Sequence, residues 1–181
     1  MTTQAWKIDA QHSGVHFSVR HMVVSKVRGR FSKFEGDITF NEAQPEDSKV
    51  NVTIDASSID TNVQQRDDHL RSPDFFDVAK YPTVTFSSTK IEKGSHGYQV
   101  HGDLTLHGVT RSVVLDAEFL GTGKDPWGNV KAGFSAKGSL DRKDYGLNWN
   151  QLLEAGGVLV GDKVELELEV EAVALAAAKA A

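Results

Sequence analysis

The sequence of 181 residues contains no cysteine. Disulfide bonds, thiolate zinc sites and cysteine nucleophiles are therefore excluded, although the redox compartment stays open. The sequence also has no apolar run near the roughly 20 residues that a membrane-spanning helix requires, so we expect no integral membrane segment. It shows no G-x-S-x-G motif, no P-loop and no dinucleotide fingerprint, so neither a catalytic residue nor a nucleotide cofactor is predicted.

The chain also has fewer basic than acidic residues. The chain carries 20 Lys and Arg against 25 Asp and Glu, a formal net charge of −5. Binding to nucleic acid by counterion release needs a clustered basic surface, so nucleic acid is excluded as a general partner. The start of the chain lacks the basic and apolar regions of a secretory signal. This predicts a cytoplasmic location, or a periplasmic one if a mature chain has been recloned behind a new methionine.

Length and composition indicate one soluble domain. A chain with 39% hydrophobic and 25% charged residues has an ordinary globular composition and enough residues for a sizeable core. We therefore predict a single domain over 1–181, with a folded core at about 6–173. The alanine-rich end, 174–181, is interpreted as a frayed tail.

Most of the chain alternates between apolar and polar residues. In "VELELEVE", 164–171, four valines and leucines alternate with four glutamates, which is typical of a strand with one dry face and one wet face. Similar runs recur along the chain, separated by turn residues that we place at 35–37, 93–97, 107–110 and 121–129. About eight antiparallel strands follow, so the fold class is all-β.

Such strands either stack as two sheets or close into a barrel, which removes the exposed edges. A barrel of about eight strands is either filled by its side chains or holds one small ligand. Periodicity alone does not choose between these. The apolar residues predicted to line a ligand cavity are Phe17, Val19, Val52, Ile54, Leu70, Phe75, Phe76, Val84, Phe86, Leu104, Leu106, Leu115, Phe119 and Phe134.

The stretch "RDDHLRSPDFFDVAKYP", 66–82, breaks this alternation. Asn62 with Gln65 is a variant of the capping-box pattern, and Ser72-Pro73-Asp74 resembles a second helix start, so one or two short helices are predicted. We interpret the stretch as a lid that caps one end of the barrel with Phe75 and Phe76. The alternative is a solvated connector in which Arg71 pairs with Asp67.

Four side chains are candidates for binding a polar head group at the barrel mouth. Arg66, His69 and Arg71 lie on the predicted lid, and His21 continues the inward register of its strand. Arginine suits phosphate oxygens because its planar fork donates two hydrogen bonds. An equally good alternative is that these side chains only hold the lid in place.

No metal site is predicted. Asp67, Asp68 and His69 are consecutive, and consecutive helical residues point about 100° apart. His101 and His107 share a strand face but are separated by about 20 Å at the rise of a strand. Neither set can converge on one ion.

The sequence resembles the YceI-like family of polyisoprenoid-binding proteins. The resemblance rests on "WKIDAQHSGVHFSVRH" at 6–21, "RDDHLRSPDFFDVAKYP" at 66–82, "GDLTLHGVT" at 102–110 and "DRKDYGLNWN" at 141–150. It implies a lipocalin-like eight-stranded antiparallel barrel whose apolar pore holds a long isoprenoid or similar lipid. It also implies a homodimer, and it brings no catalytic machinery. Many members carry export signals, which this sequence lacks.

Three functions remain open at this point. The first is a non-enzymatic protein that carries or stores an isoprenoid lipid. The second is an enzyme that acts on a lipid in the same cavity, with His21 or an inward acid as general acid or base. The third is a filled barrel that serves only as a dimeric interaction module. The stretch "YGLNWN", 145–150, is predicted to close the end of the barrel away from the lid.

Overall fold

The computed structural model describes residues 3–176, which form eleven β-strands and one α-helix. The elements are β1 (Gln4–Ile8), β2 (Gly14–His21), β3 (Ser25–Phe31), β4 (Phe34–Phe40), β5 (Lys49–Asp55), β6 (Ile59–Asp60), α1 (Gln64–Arg71), β7 (Thr83–Gly94), β8 (Gly97–Leu106), β9 (Val109–Lys124), β10 (Val130–Asp141) and β11 (Val160–Ala174). Short 3-10 helices lie at Pro45–Asp47, Ala56–Ser58 and Arg142–Tyr145. Within the described part of the chain, no helix is both long and apolar enough to cross a membrane.

Eight strands close into a barrel. They pair antiparallel in the order β1, β4, β5, β7, β8, β9, β10, β11, and β11 pairs back onto β1. The closing register places Trp6 opposite Ala174 and Ile8 opposite Ala172. Closure leaves no free edge in this ring. The predicted all-β, lipocalin-like, eight-stranded antiparallel barrel is confirmed.

At one end of the barrel the strand pairing diverges. Beyond its contact with β1, β11 pairs with β2, and β2 pairs with β3. Next, β3 pairs with the short β6, whereas β4 pairs with β5. Residues 61–82, which comprise α1 and the turns that follow it, lie at this end, where Phe76 packs edge-on against Phe31. We call residues 61–82 the mouth segment.

The alternation of β11 matches its placement in the barrel. Leu166 and Leu168 line the interior, while the alternate residues Glu165 and Glu167 lie on the opposite face. The predicted turn at 107–110 is a two-residue hairpin loop in which both central residues have positive φ. This is the geometry that suits the right-handed twist of the flanking strands.

Two predicted turns need correction. Residues 35–37 lie inside β4 instead of forming a turn. A Cβ on Gly36 would approach Asn51 O to 2.6 Å and Ile8 Cδ1 to 2.7 Å, so glycine is required there for close packing. The predicted turn at 121–129 begins later, because β9 continues to Lys124.

The sheet reaches one residue into the predicted tail. Ala174 still belongs to β11, and the N–H of Leu175 donates to Ala5 O at 2.9 Å. The remainder of the predicted tail, 177–181, lies outside the described residues.

The break between β1 and β2 is held by a charged cluster. Asp9 Oδ2 accepts hydrogen bonds from His12 Nδ1 at 2.8 Å and from Lys131 Nζ at 3.0 Å, and Lys131 also donates to Glu171 Oε1 at 2.9 Å. One potential metal-ligand atom from each of Asp9, His12 and Glu171 lies within 4.8 Å of the other two. The ammonium group of Lys131 already supplies a cation to both carboxylates, so we assign no metal to this cluster.

We expect Asp9→Asn to destabilise the protein in a pH-dependent way. The hydrogen bonds from His12 and Lys131 lower the pKa of Asp9 to about 2. A lowered pKa stabilises the fold above the ordinary aspartate pKa near 4, and the effect is lost as the pH falls through 2. The loss at pH 7 should be about 1 kcal/mol, because solvent screens a partly open carboxylate.

Urea unfolding at pH 7 and at pH 2 measures this effect. The difference between wild type and Asp9→Asn should shrink below pH 4 and be mostly lost at pH 2. Asp37→Asn is the matched control, since the Lys7–Asp37 pair is exposed on both sides. A penalty for Asp9→Asn that stays constant with pH would contradict the assignment.

Candidate ligand-binding cavity

The barrel encloses an elongated cavity of about 850 Å³. This is near the upper end of the range for small-molecule sites, roughly 300–1,000 Å³. Its wall is almost wholly apolar because the inward residues of the alternating strands face it. The predicted residues on this wall are Phe17, Val19, Val52, Ile54, Leu70, Phe75, Phe76, Val84, Phe86, Leu104, Leu106, Leu115 and Phe134.

Phe119 does not line the cavity, in contrast to the prediction. Its ring packs 4.9 Å from Phe40 and 5.3 Å from Phe134. Phe40 also contacts Tyr98, so these four rings form an aromatic floor. A β-bulge at this level pairs Phe119 with Phe134 and leaves Leu120 unpaired. The cavity therefore ends on Phe40, Phe134 and Tyr98, with Phe119 behind them.

The mouth segment covers the other end, and Arg66 lies on the cavity wall there. Its Nε donates to Thr61 Oγ1 at 2.7 Å and its Nη2 to Thr61 O at 2.8 Å. Among the described residues, Nη1 of Arg66 has no hydrogen-bond acceptor. The guanidinium is therefore fixed in direction while part of its donor capacity is unused.

Thr61 is itself held by Asp67. This buried carboxylate accepts hydrogen bonds from the backbone N–H and the hydroxyl of Thr61. The predicted capping box is wrong, because Val63 is the N-cap and Asn62 has a left-handed backbone with φ 64°. The predicted Asp67–Arg71 pair is also absent from the described structure, because Asp67 faces inward.

His69 lies on the cavity wall in an aromatic cluster. Its ring packs edge-on against Phe75 and Trp149, with centroids 5.0 Å and 4.7 Å away, and its Nε2 lies 2.8 Å from Asp74 Oδ2. The stretch 145–150 therefore lies at the lid end, and its predicted placement at the far end is wrong. The sequence carried no signal for this contact, since residues 69 and 149 are far apart in the chain.

Arg71 is not on the cavity wall, so its assignment as a head-group residue is corrected. Its Nε and Nη2 donate to the carbonyl oxygens of Ser57 and Ile59 at 2.8 and 2.9 Å, and its Nη1 donates to Asp68. The bonds to Ser57 and Ile59 join α1 to the 3-10 helix at Ala56–Ser58 and to β6. His21 does line the cavity, at the end of β2 opposite Val160.

Arg142 is a site residue that the sequence did not reveal. It lies on the cavity wall and is only 3% exposed. It donates to the carbonyl oxygens of Gly161, Leu147 and Trp149, and burial lowers the pKa of its guanidinium. In "DRKD" it has the appearance of a surface turn residue. In the structure it ties the stretch that carries Trp149 to β11.

A closed eight-stranded antiparallel barrel around an elongated apolar cavity defines a lipocalin-like barrel protein. Sequence comparison then identifies the family. The YceI-like domain profile matches residues 6–172, and the chain belongs to the YceI-like family. The resemblance seen in the sequence is confirmed.

Two relatives show the extent of the similarity. A UPF0312 protein of Photorhabdus laumondii is 49% identical over 142 residues, which are 77% of this chain and 74% of the relative. The protein YceI of Escherichia coli is 47% identical over 144 residues, which are 78% and 75% of the two chains.

Solved structures share the fold. A Campylobacter jejuni YceI protein superposes with a TM-score of 0.69 at 35% identity, covering 85% of this chain and 88% of the other. Burkholderia cenocepacia BcnA superposes with a TM-score of 0.80 at 23% identity, covering 91% of this chain and 98% of BcnA. A structure described as a polyisoprenoid binding domain from Saccharophagus degradans superposes with a TM-score of 0.65 at 18% identity. The superposition covers 95% of this chain and 99% of that domain.

Proposed function

We propose that the protein binds a long-chain isoprenoid or related amphiphilic lipid in its cavity and carries or stores it. The observation that carries this proposal is the elongated, almost wholly apolar wall around about 850 Å³, with Arg66, His69 and His21 at the mouth. Removing hydrocarbon from water gains roughly 0.8 kcal/mol per CH₂ before ordering costs, so shape and dryness suffice to hold a long apolar chain.

The family supports the same class of ligand. The solved domain from Saccharophagus degradans, which shares the fold, is described as polyisoprenoid binding. A barrel with the same architecture and an open apolar interior suits a ligand of that chemistry. Because the side chains leave a cavity inside the barrel, the filled-barrel alternative has less support than the carrier.

We place the head group of the ligand at the mouth. Arg66, His69 and His21 line the cavity there, and Nη1 of Arg66 is available to a phosphate or hydroxyl oxygen. The tail would then extend toward the aromatic floor, where Phe40 and Phe134 close the cavity.

The enzyme alternative has less support from the cavity. General acid–base chemistry needs titratable groups within reach of one substrate atom. Among the described residues of the wall, Glu118 is the single carboxylate. It lies next to Phe119 in β9, toward the floor, whereas His21 and His69 lie at the mouth. This separation favours a binding protein.

The test is native mass spectrometry of the purified protein, combined with organic extraction. A co-purified lipid with a long apolar chain is the expected result. Conversion of that lipid on incubation would favour the enzyme instead. An empty protein that also fails to bind added farnesol or longer polyprenols in a fluorescence displacement titration would refute the proposal.

Arg66→Gln should lower the affinity for a polyprenyl diphosphate about ten-fold more than the affinity for the matching polyprenol. The reason is that a charge-assisted hydrogen bond is lost only with the anionic ligand. Raising the salt concentration should reduce this difference. Calorimetric titration of both ligands measures it. Arg71→Gln is the matched control, since Arg71 binds backbone oxygens outside the cavity. Equal losses for both ligands would assign Arg66 to the mouth segment alone.

Family membership also supports a homodimer, which we propose as the assembly in solution. Sedimentation equilibrium of the purified protein over a range of concentrations tests it. A mass of 19.8 kDa at all concentrations would reject the dimer without affecting the proposed ligand.

A further inference from the structure

The β2–β3 hairpin is basic within an acidic chain. Residues 10–34 contain five Lys and Arg and no Asp or Glu, although the whole chain has a net charge of −5. Lys26 pairs with Glu165, and Arg30 pairs with Asp60. Within residues 3–176, Arg20 and Arg28 have no carboxylate within 4 Å.

These charges are ordered along the hairpin. Arg20 pairs across the sheet with Lys26, and Ser18 pairs with Arg28, so three cations lie on the half of the hairpin nearest the turn, where the exposed Arg20 also borders the cavity opening. On β11, Glu165 lies opposite Ser18 and offsets the charge of Lys26, so Arg20 and Arg28 supply the excess positive charge, and Glu167 lies beside His16. The hairpin therefore presents positive charge behind its tip.

The tip itself is apolar and strained. Met22, Val23 and Val24 are 45%, 70% and 83% exposed. Met22 and Val23 both have left-handed backbones, with φ of 51° and 64°. A β-branched residue rarely adopts this conformation, and turns of this kind favour asparagine and glycine. Folding therefore does not account for apolar side chains at this turn.

The tip adjoins the cavity mouth. The N–H of Met22 donates to Leu159 O at 2.9 Å. Leu159, Val160 and His21 all line the cavity. The neighbouring loop exposes Leu152, which bridges to Val158. An exposed apolar rim thus connects the hairpin tip with the opening of a lipid-sized cavity.

We propose that the β2–β3 hairpin docks the barrel onto the surface of an anionic phospholipid bilayer. Met22, Val23 and Val24 enter the boundary of the acyl chains, and Arg20 and Arg28 contact lipid phosphates. At the rise of a strand, Arg20 lies about 7 Å behind Met22, at the depth of the headgroup region, and Arg28, opposite Ser18, lies about 13 Å behind it, at the outer edge of that region. The role of docking in lipid exchange rests on the proposed function, but docking itself requires no ligand in the cavity.

Vesicle sedimentation without isoprenoid tests docking. The protein should bind vesicles of phosphatidylglycerol mixed with phosphatidylcholine, and bind pure phosphatidylcholine much more weakly, with a loss of binding at high salt. Arg20→Gln combined with Arg28→Gln should remove the preference for the anionic vesicles. Equal binding of the wild type to both vesicles, or no binding to either, would overturn the proposal.

The turn offers a variant whose effects on stability and docking differ in sign. Met22→Asn combined with Val23→Gly should lower vesicle affinity about ten-fold or more, because buried apolar area is lost. The melting temperature should stay constant or rise, since asparagine and glycine tolerate the positive φ at positions 22 and 23. Trp127→Asn is the control, because Trp127 is 84% exposed in the β9–β10 turn at the floor end.

Three further outcomes would overturn the proposal. The first is unchanged vesicle binding in the turn variant, and the second is an equal loss in Trp127→Asn. The third is a wild-type dimer, seen by sedimentation, that the turn variant dissociates and that does not bind vesicles, because the tip would then be a protein interface. Failure of isoprenoid binding with vesicle docking intact would instead reject the proposed function alone.

Discussion

Ala136→Phe should abolish binding of a long isoprenoid while the barrel stays folded. Ala136 lies on the cavity wall, between Ala117 on β9 and Leu168 on β11. A phenyl ring at this position would obstruct the bore between the mouth and the aromatic floor. A ligand chain that stops at this ring leaves at least three or four CH₂ groups in water, which corresponds to a loss of affinity of about 100-fold or more.

The stability of this variant should change little. The added ring enters an open cavity instead of a packed core, so the usual penalty for overpacking is reduced. The measurements are a ligand titration and a thermal melt. Lys137→Phe is the matched control, because the adjacent residue lies on the outward face of the same strand. Tight binding retained by Ala136→Phe would show that the lipid does not occupy the bore.

Arg142→Met should lower the free energy of unfolding by about 3–5 kcal/mol. Three carbonyl oxygens, of Gly161, Leu147 and Trp149, would lose their donor in a place that water does not reach freely. A buried acceptor left without a partner costs about 1–3 kcal/mol. Denaturant unfolding followed by tryptophan fluorescence measures the loss.

Two variants separate this effect from charge alone. Arg142→Lys keeps the charge but cannot reach all three oxygens with one ammonium group. Its free energy of unfolding should therefore lie between those of Arg142→Met and the wild type. Lys143→Met removes the exposed neighbour that pairs with Asp162, and should cost below about 1 kcal/mol. A loss for Arg142→Met as small as that for Lys143→Met would contradict the assigned role.

The strands were predictable because alternation is a local property. A residue in a strand faces the side opposite to its neighbour, so the inward side of β11 and the wall residues Leu104, Leu106 and Leu115 follow directly from the sequence. Phe119 did not follow, because the bulge beside Leu120 depends on pairing with β10. Gly36 was mistaken for a turn residue because only its packing against Ile8 explains it.

The mouth segment was predicted in outline and not in its contacts. Its break in alternation and its proline predicted an irregular cap, and Phe75 and Phe76 do line the cavity. The two arginines of this segment look equivalent in the sequence. The structure separates them, since Arg66 lies on the cavity wall and Arg71 binds Ser57 and Ile59.

The sequence by itself determined an all-β fold of amphipathic strands and an irregular segment that breaks them, because these depend on periodicity and on local backbone preferences, and the family resemblance added the barrel. Only the tertiary structure decided which charged side chains are buried. Arg142 lies inside because carbonyl oxygens from two distant stretches converge on it. Such a site depends on which segments meet in space, and residue spacing along the chain does not encode that in a readable form.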